Sequence, residues 1–382
     1  MGRRTTLGAA ATAGALLLGL GGAQAATPDG PLLAFTGYLP GAHEMSLLTV
    51  DTVTGAQHEV AAEPAQDVSW SPDGTRLAWI GYGAGPDGAE VSRAVVAGTD
   101  GTGRRELGSA GGWRSLDWGA DGTLAWLRAP ADAAVCEDPA RLARLDVVLR
   151  AADGTERVLT TAAATAFDLR FSPDASRLVW RERGDDPCRG VDSQVRIADV
   201  ATGSVVQVSG EAQRGGFASF TPDGSTIVLA KSDGVGADLV LVDVATATSR
   251  RLVTPGIVES HPAVSPDGST LAVLRQEQGA EATVALLDLD GTFRRDVAPA
   301  PDLTEALAWS PRGDSLLVSG SRSYPACPGC DYGTVDPAVW RVGLDGTQTV
   351  LSEDGVLGST ELVVAPWFPE TPVVQRRTRA VR

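Results

Sequence analysis

The sequence predicts an all-β protein, a seven-bladed β-propeller closed by a C-terminal strand that completes the first blade. Three observations support this fold class. One turn signature recurs seven times at a mean spacing of about 47 residues, short apolar strands flank it, and no helical periodicity lies between the copies. Four short strands per repeat at this spacing are typical of propeller blades.

The repeated turn is Ser/Thr-Pro-Asp-Gly or a close variant. Its seven copies begin at Thr27, Ser71, Gly119, Ser172, Thr221, Ser265 and Ser310. Proline presets the first turn dihedral, aspartate bonds its own backbone and glycine accepts a positive φ. Each copy therefore predicts a tight hairpin between two strands.

The first repeat lacks a strand before its turn, because Thr27 lies close to the chain start. An unpaired edge there would favour aggregation, so another segment must supply the missing strand. The segment Glu361–Pro366 aligns with Asp67–Pro72, which precedes and enters the second turn. We therefore expect residues 362–364 to form the inner strand of the first blade.

The Ser/Thr-Pro-Asp-Gly turn after a bulky residue resembles the repeats of the TolB-like, or WD40-like PD40, propeller family, over nearly the whole chain after residue 25. The resemblance implies the propeller fold and says almost nothing about function. Because TolB's own propeller has six blades, six is the alternative blade number. TolB also carries an N-terminal α/β domain for which this chain leaves no room, so its role with the Tol–Pal system does not carry over.

The two ends of the chain differ from the repeats. Residues 1–25 combine Arg3 and Arg4, an apolar stretch and Ala23-Gln24-Ala25, which together predict a cleaved signal peptide. The arginine pair leaves Sec and twin-arginine export both open. Residues 26–370 form the predicted propeller domain, and residues 371–382 a basic tail expected to be disordered. We expect an exported protein of the periplasm, the cell envelope or the medium, with no membrane span after cleavage.

All four cysteines fall in predicted long loops. An even number of cysteines in an exported chain indicates disulfides. We expect Cys136 to pair with Cys188 across two blades, and Cys327 with Cys330 within one loop. A redox pair and a zinc site are the alternatives.

Basic and aromatic residues recur near the end of the second strand of each repeat, on the face that carries the long loops. They are Tyr38, Tyr82, Arg128, Arg181, Arg183, Lys231, Arg275 and Arg322. On a chain of net charge −16 such a rim could hold an anionic ligand, such as a carboxylate, a phosphorylated polymer or an acidic peptide. The alternative is ion pairing with carboxylates of the same loops: Glu182, Asp185, Asp186, Glu277 and Asp331.

The acidic composition argues against nucleic acid, whose phosphates need a basic face. His43, His58 and His261 lie in different repeats and no Gly-x-Ser-x-Gly elbow occurs, so catalysis has little support. No cofactor is expected, although calcium, which takes oxygen ligands, stays open. The sequence favours a non-enzymatic binding or scaffold module whose partner is a protein, a peptide or an anionic envelope polymer. A propeller enzyme of the lyase, lactonase or esterase type is the alternative.

Overall fold

The computed structural model shows seven four-stranded antiparallel sheets, and no helix occurs among the residues it describes. The described residues are 32–38, 45–51, 56–63, 65–84, 90–109, 116–128, 144–163, 165–183, 193–208, 219–232, 237–301, 303–323, 335–352 and 363–364. Within these ranges, the search for a helix able to cross a membrane finds none. Seven blades, rather than six, confirm the main prediction.

Blades 1 to 4 use the first fifteen strands. These are β1 (Leu32–Tyr38), β2 (Met45–Asp51), β3 (Gln57–Ala61), β4 (Ala65–Trp70), β5 (Arg76–Ala84), β6 (Glu90–Gly98), β7 (Arg105–Ser109), β8 (Leu116–Trp118), β9 (Leu124–Arg128), β10 (Leu145–Arg150), β11 (Glu156–Ala162), β12 (Ala166–Phe171), β13 (Arg177–Arg183), β14 (Ser193–Asp199) and β15 (Val205–Gln207). Consecutive strands pair in each sheet.

Blades 5 to 7 follow the same order. Their strands are β16 (Ser219–Phe220), β17 (Thr226–Ser232), β18 (Ala237–Asp243), β19 (Thr248–Leu252), β20 (Ile257–Val264), β21 (Thr270–Glu277), β22 (Thr283–Asp288), β23 (Phe293–Pro299), β24 (Leu303–Trp309), β25 (Ser315–Ser323), β26 (Val335–Gly343) and β27 (Gln348–Ser352).

The last strand, β28 (Val363–Val364), joins blade 1 and confirms the predicted closure. It runs antiparallel to β1, with Val364 opposite Leu33 and Val363 opposite Ala34. One strand from the end of the chain therefore completes the three from its beginning, and β1 is not left as an edge.

The hydrophobic core lies between blades, in seven clusters that each join two neighbours. The cluster that joins blades 7 and 1 consists of Leu33, Leu48, Val50, Leu317, Val339 and Leu351. Trp79, Trp126 and Trp180, at one register of the second strands, are almost fully buried. The tryptophans of this register therefore serve packing between blades.

Several inner strands carry a bulge two or three residues before their last bulky residue. The pairing slips between Gln66 and Ser69, between Phe167 and Arg170, and between Ser260 and Ala263. Asp67, Asp168 and His261 occupy these bulges with φ of 52°, 64° and 52°. Positive φ is uncommon for such residues and is found where a bulge redirects the chain.

Candidate functional site

The two faces of the propeller differ in how their connections are built. Since each sheet is a simple antiparallel meander, the Pro-Asp-Gly turns and the outer hairpin turns share one face, called the turn face here. The links between second and third strands, and those between blades, share the other, called the loop face.

Turns on the turn face are fixed by a repeated set of hydrogen bonds. In blade 2 the Ser71 hydroxyl donates to Asp73 at 2.6 Å and accepts from the Arg76 amide at 2.9 Å. The same pattern recurs at Ser172, Thr221 and Ser265. Hydrogen bonds from these hydroxyls hold the pKa of Asp174 and Asp267 at about 2. The Pro-Asp-Gly turns of blades 2, 4, 5 and 6 are therefore built alike.

On the loop face, predicted rim cations lie at the ends of the second strands and meet carboxylates. Arg128 pairs with Asp146 at 2.8 Å, and Arg275 with Glu277 at 3.0 Å. Glu277 is one of the carboxylates named in the ion-pairing alternative. Lys231 lies directly opposite Asp238 in the sheet register. The rim therefore carries ion pairs at Arg128 and Arg275, and an acidic residue lies across the sheet from Lys231.

Arg181 departs from the rest of the rim because it is buried. Its guanidinium lies 2.8 Å from the Asp168 carboxylate and 4.6 Å from the centre of the Phe167 ring. Both charged side chains are almost fully buried, so Arg181 does not belong to the open rim. Glu182, expected as a partner, instead accepts from Arg196 and from the Trp180 indole.

Other predicted site residues are only partly within the described structure. The Tyr82 hydroxyl donates to Gln66 at 2.7 Å, so it is anchored within its own blade. Tyr38, Arg183 and Arg322 belong to β1, β13 and β25, but their side chains lie outside the described residues. Outside them too are the four cysteines, Cys136, Cys188, Cys327 and Cys330, whose pairing stays a prediction.

A charged cluster that sequence reasoning missed lies between blades 5 and 6 on the loop face. Asp238, which is 8% exposed, pairs with Arg251. Glu259, which is 2% exposed, stands opposite Arg275 on the neighbouring strand. Burial raises the pKa of Glu259 and the charge of Asp238 adds to this, while Arg275 opposes it.

A polar connection crosses the inner strands of blades 2, 3 and 4. Asp117 accepts from the Ser69 hydroxyl and from the Phe171 amide, both at 2.8 Å. Ser69 in turn accepts from the Trp118 amide at 3.1 Å. Ser219 accepts from the Val264 amide at 3.1 Å in the same way between blades 5 and 6. The residue before the last bulky position of an inner strand therefore ties that blade to the next.

No cluster of metal-ligating side chains occurs in the described residues. They contain no group of three or more His, Cys, Asp or Glu side chains that could hold a metal ion. His58 lies exposed in β3 of blade 1, and His261 lies in β20 of blade 6, where its ring meets the Ser260 hydroxyl at 3.0 Å. These two histidines are on different blades.

Comparison with known proteins places the fold among TolB-like propellers. The family described as TolB beta propeller domain, PD40, matches residues 143–323. No curated protein matches the sequence. TolB from Acinetobacter baumannii is a solved structure with 16% identity and a TM-score of 0.51, covering 89% of this chain and 68% of its own.

Two further solved structures share the propeller fold at low identity. Oligogalacturonate lyase from Vibrio parahaemolyticus has 15% identity and a TM-score of 0.58, covering 85% of this chain and 86% of its own. The propeller domain of the trilobed protease from Pyrococcus furiosus, described as having an open velcro topology, has 12% identity and a TM-score of 0.56, covering 85% and 92%. Likeness at this level concerns the fold alone. The chain is thus a seven-bladed propeller whose residues 143–323 carry the repeats of the TolB beta propeller domain family.

Proposed function

We propose that the protein is an exported binding module of the cell envelope or its surroundings, and that the loop face receives an acidic protein, peptide or polymer. The observation that carries this proposal is the contrast between the two faces. The turn-face hairpins of blades 2, 4, 5 and 6 repeat the same hydrogen bonds, whereas the loop face combines connections of unequal length with a rim of cations. Variable connections on a rigid scaffold are where binding residues usually reside.

An exposed ion pair of the rim allows a carboxylate of the partner to replace the carboxylate of the protein itself. Arg128 and Asp146 are each more than a third exposed on their side chains, so their mutual attraction is screened by water. A partner carboxylate can therefore replace Asp146 with little loss. Buried Arg181 is expected to take no part in such an exchange.

A capture experiment with matched variants tests this proposal. The chain without residues 1–25 is immobilised and exposed to envelope and culture-supernatant fractions. The loop-face variant carries three substitutions: Arg128→Gln, Lys231→Gln and Arg275→Gln. The control carries three on the turn face, where each arginine also pairs with a carboxylate: Arg150→Gln, Arg177→Gln and Arg294→Gln.

We expect one acidic macromolecule to be retained by the wild type and the control and to be lost from the loop-face variant. Loss from the control alone would move the binding surface to the turn face and contradict the proposal. Retention of no macromolecule by the wild type would also contradict it and would favour an enzyme acting on a small substrate.

That second candidate, a propeller enzyme, is favoured by one specific observation. Glu259 is buried with a raised pKa and stands opposite Arg275 on the loop face, and an acid–base residue has these properties. A substrate screen with Glu259→Gln as the comparison tests this candidate, since an enzyme of this kind loses its activity with that substitution.

A further inference from the structure

Two clefts on the turn face share one composition although they lie at different blade junctions. A cleft of about 420 Å³ lies between blades 2 and 3, and one of about 560 Å³ between blades 6 and 7. Each is lined by three arginines, one aspartate and one tryptophan. The first set is Arg76, Arg105, Arg150, Asp153 and Trp118. The second is Arg294, Arg295, Arg312, Asp267 and Trp309.

The two clefts have similar linings because their residues occupy equivalent positions in the repeat. Arg105 stands opposite Val96 at the start of β7, and Arg295 stands opposite Leu286 at the start of β23. Trp118 and Trp309 both end an inner strand of the following blade, β8 and β24. An outer-strand arginine and the inner-strand tryptophan of the next blade therefore line the same cleft at each of the two junctions.

The cleft between blades 2 and 3 carries more positive charge than its acidic residues neutralise. Arg150 pairs with Glu156 at 2.6 Å, and the Arg76 guanidinium lies 5.1 Å from the centre of the Trp118 ring. The Arg105 side chain is exposed and makes no hydrogen bond or ion pair with the described part of the chain. On a chain of net charge −16, this is a local excess of positive charge facing an open cleft.

The same cleft also has apolar lining residues. Val96, Leu107 and Leu124 line it together with the Trp118 ring. The Trp118 indole N–H is buried and finds no acceptor among the described residues. A ligand that combines an apolar body with an anionic end would satisfy both kinds of group.

We propose that the two clefts bind small organic anions that carry a carboxylate on a flat apolar body. Guanidinium groups match a carboxylate in planar, two-pronged hydrogen bonds, so Arg105 receives the charged end in one cleft. In the other, Arg295 donates to the Leu344 carbonyl at 2.7 Å and receives the charged end through its remaining N–H groups. The tryptophan and aliphatic side chains receive the apolar body. Both volumes fall within the roughly 300–1,000 Å³ of small-molecule sites. These sites lie on the turn face and do not depend on the loop-face proposal.

The test uses 2-naphthoate as the probe, with the chain lacking residues 1–25, in isothermal titration calorimetry. We expect two sites in the wild type and weaker binding as salt is raised. Arg105→Gln should weaken one site, and Arg295→Gln the other, by roughly tenfold each, because each loses a charged hydrogen bond. The neutral analogue 2-naphthamide should bind at least tenfold more weakly.

Arg250→Gln is the matched control. Arg250 is exposed at the same outer-strand register, opposite Leu241, but the inner strand of the next blade ends in Val264 rather than tryptophan. Its substitution should leave both sites unchanged. Equal affinity for 2-naphthoate and 2-naphthamide, an equal loss in Arg250→Gln, or no binding by the wild type would overturn the proposal. Unchanged melting temperatures of the variants show that the fold is retained.

Discussion

Replacing Asp117 by alanine tests whether the inner strands are tied together by side-chain hydrogen bonds. Asp117 is the one acceptor shared by Ser69 of blade 2 and the Phe171 amide of blade 4. Asp117→Ala removes both hydrogen bonds at once, while the sheet of blade 3 keeps its own backbone pairing.

The expected loss of stability comes from the two hydrogen-bond donors that lose their acceptor, the Phe171 amide and the Ser69 hydroxyl. Phe171 is buried, and an unpaired buried amide costs about 1–3 kcal/mol. The Ser69 hydroxyl can still rotate, so its loss is about 0.5–1.5 kcal/mol. Removal of a carboxylate that burial disfavours offsets part of both losses. We expect the free energy of unfolding to fall by about 2 kcal/mol overall.

Asp117→Asn separates the hydrogen bonds from the charge. Its side-chain oxygen still accepts from Phe171, so the loss should stay under about 1 kcal/mol. Burial raises the pKa of Asp117, against the charge of Arg170 and the hydrogen bonds from Phe171 and Ser69. The folded carboxyl therefore takes up a proton at higher pH than the unfolded one. Wild type should gain stability relative to Asp117→Asn as the pH is lowered through that raised pKa.

Urea unfolding followed by tryptophan fluorescence measures these differences. Asp296→Ala is the control, because Asp296 is exposed and accepts from Thr283 within its own blade at 2.7 Å. It should change the free energy of unfolding by less than about 0.5 kcal/mol. A result for Asp117→Ala no larger than that of Asp296→Ala would refute the connection between blades.

Three further predictions concern the closure and the turns. Removal of the residues after Gly358 deletes β28 and should lower the melting temperature by roughly 5 °C or more; an unchanged melt would contradict the closure. The pKa of Asp174 and of Asp267 is about 2 in the folded protein, so the stability they add is present above the ordinary 3.8 and lost as the pH falls to 2. Urea midpoints should therefore drop across that range and drop less in Asp267→Asn, and equal slopes would count against the turn bonds. Gly268→Ala should cost about 1–2 kcal/mol, because φ is +73° and the new Cβ would lie 3.2 Å from a proline ring carbon. Gly279→Ala, at φ +81° in open space, should cost less in the same unfolding assay, and the reverse order would argue against crowding at that turn.

Much of the fold could be predicted because its signals are contiguous in sequence. Each Pro-Asp-Gly turn is a signature of four consecutive residues that marks one blade, so the number of turns predicts the number of blades. The closing strand was predictable for the same reason, since Glu361–Pro366 repeats the pattern of Asp67–Pro72. Both predictions were confirmed by the sheet order.

Cross-blade partners could not be predicted, because they depend on how twisted sheets pack. Ser69 and Asp117 are 48 residues apart, and nothing local links them. A signal was nevertheless present: Ser69, Asp117 and Ser219 each directly precede the last bulky residue of an inner strand. A polar residue at that register in several repeats would have indicated a bond to the next blade.

The ion pair of Arg181 could not be predicted from the sequence for a similar reason. Arg128 and Arg181 were expected to share one open rim, yet Arg181 pairs with Asp168 of the inner strand and is buried. Asp168 lies in a bulge with φ of 64°, and no residue pattern in the sequence predicts this backbone irregularity. Burial of one arginine of the rim therefore could not be foreseen from spacing.

Hydrogen-exchange mass spectrometry of the protein with its captured partner is the sharpest test of the claim that the loop face receives the partner. We expect slower amide exchange at the loop-face ends of β9, β17 and β21, which contain Arg128, Lys231 and Arg275. Exchange in the Pro-Asp-Gly turns beginning at Ser71 and Ser265 should not change. Protection confined to those turns, with the loop-face strand ends unaltered, would contradict the claim.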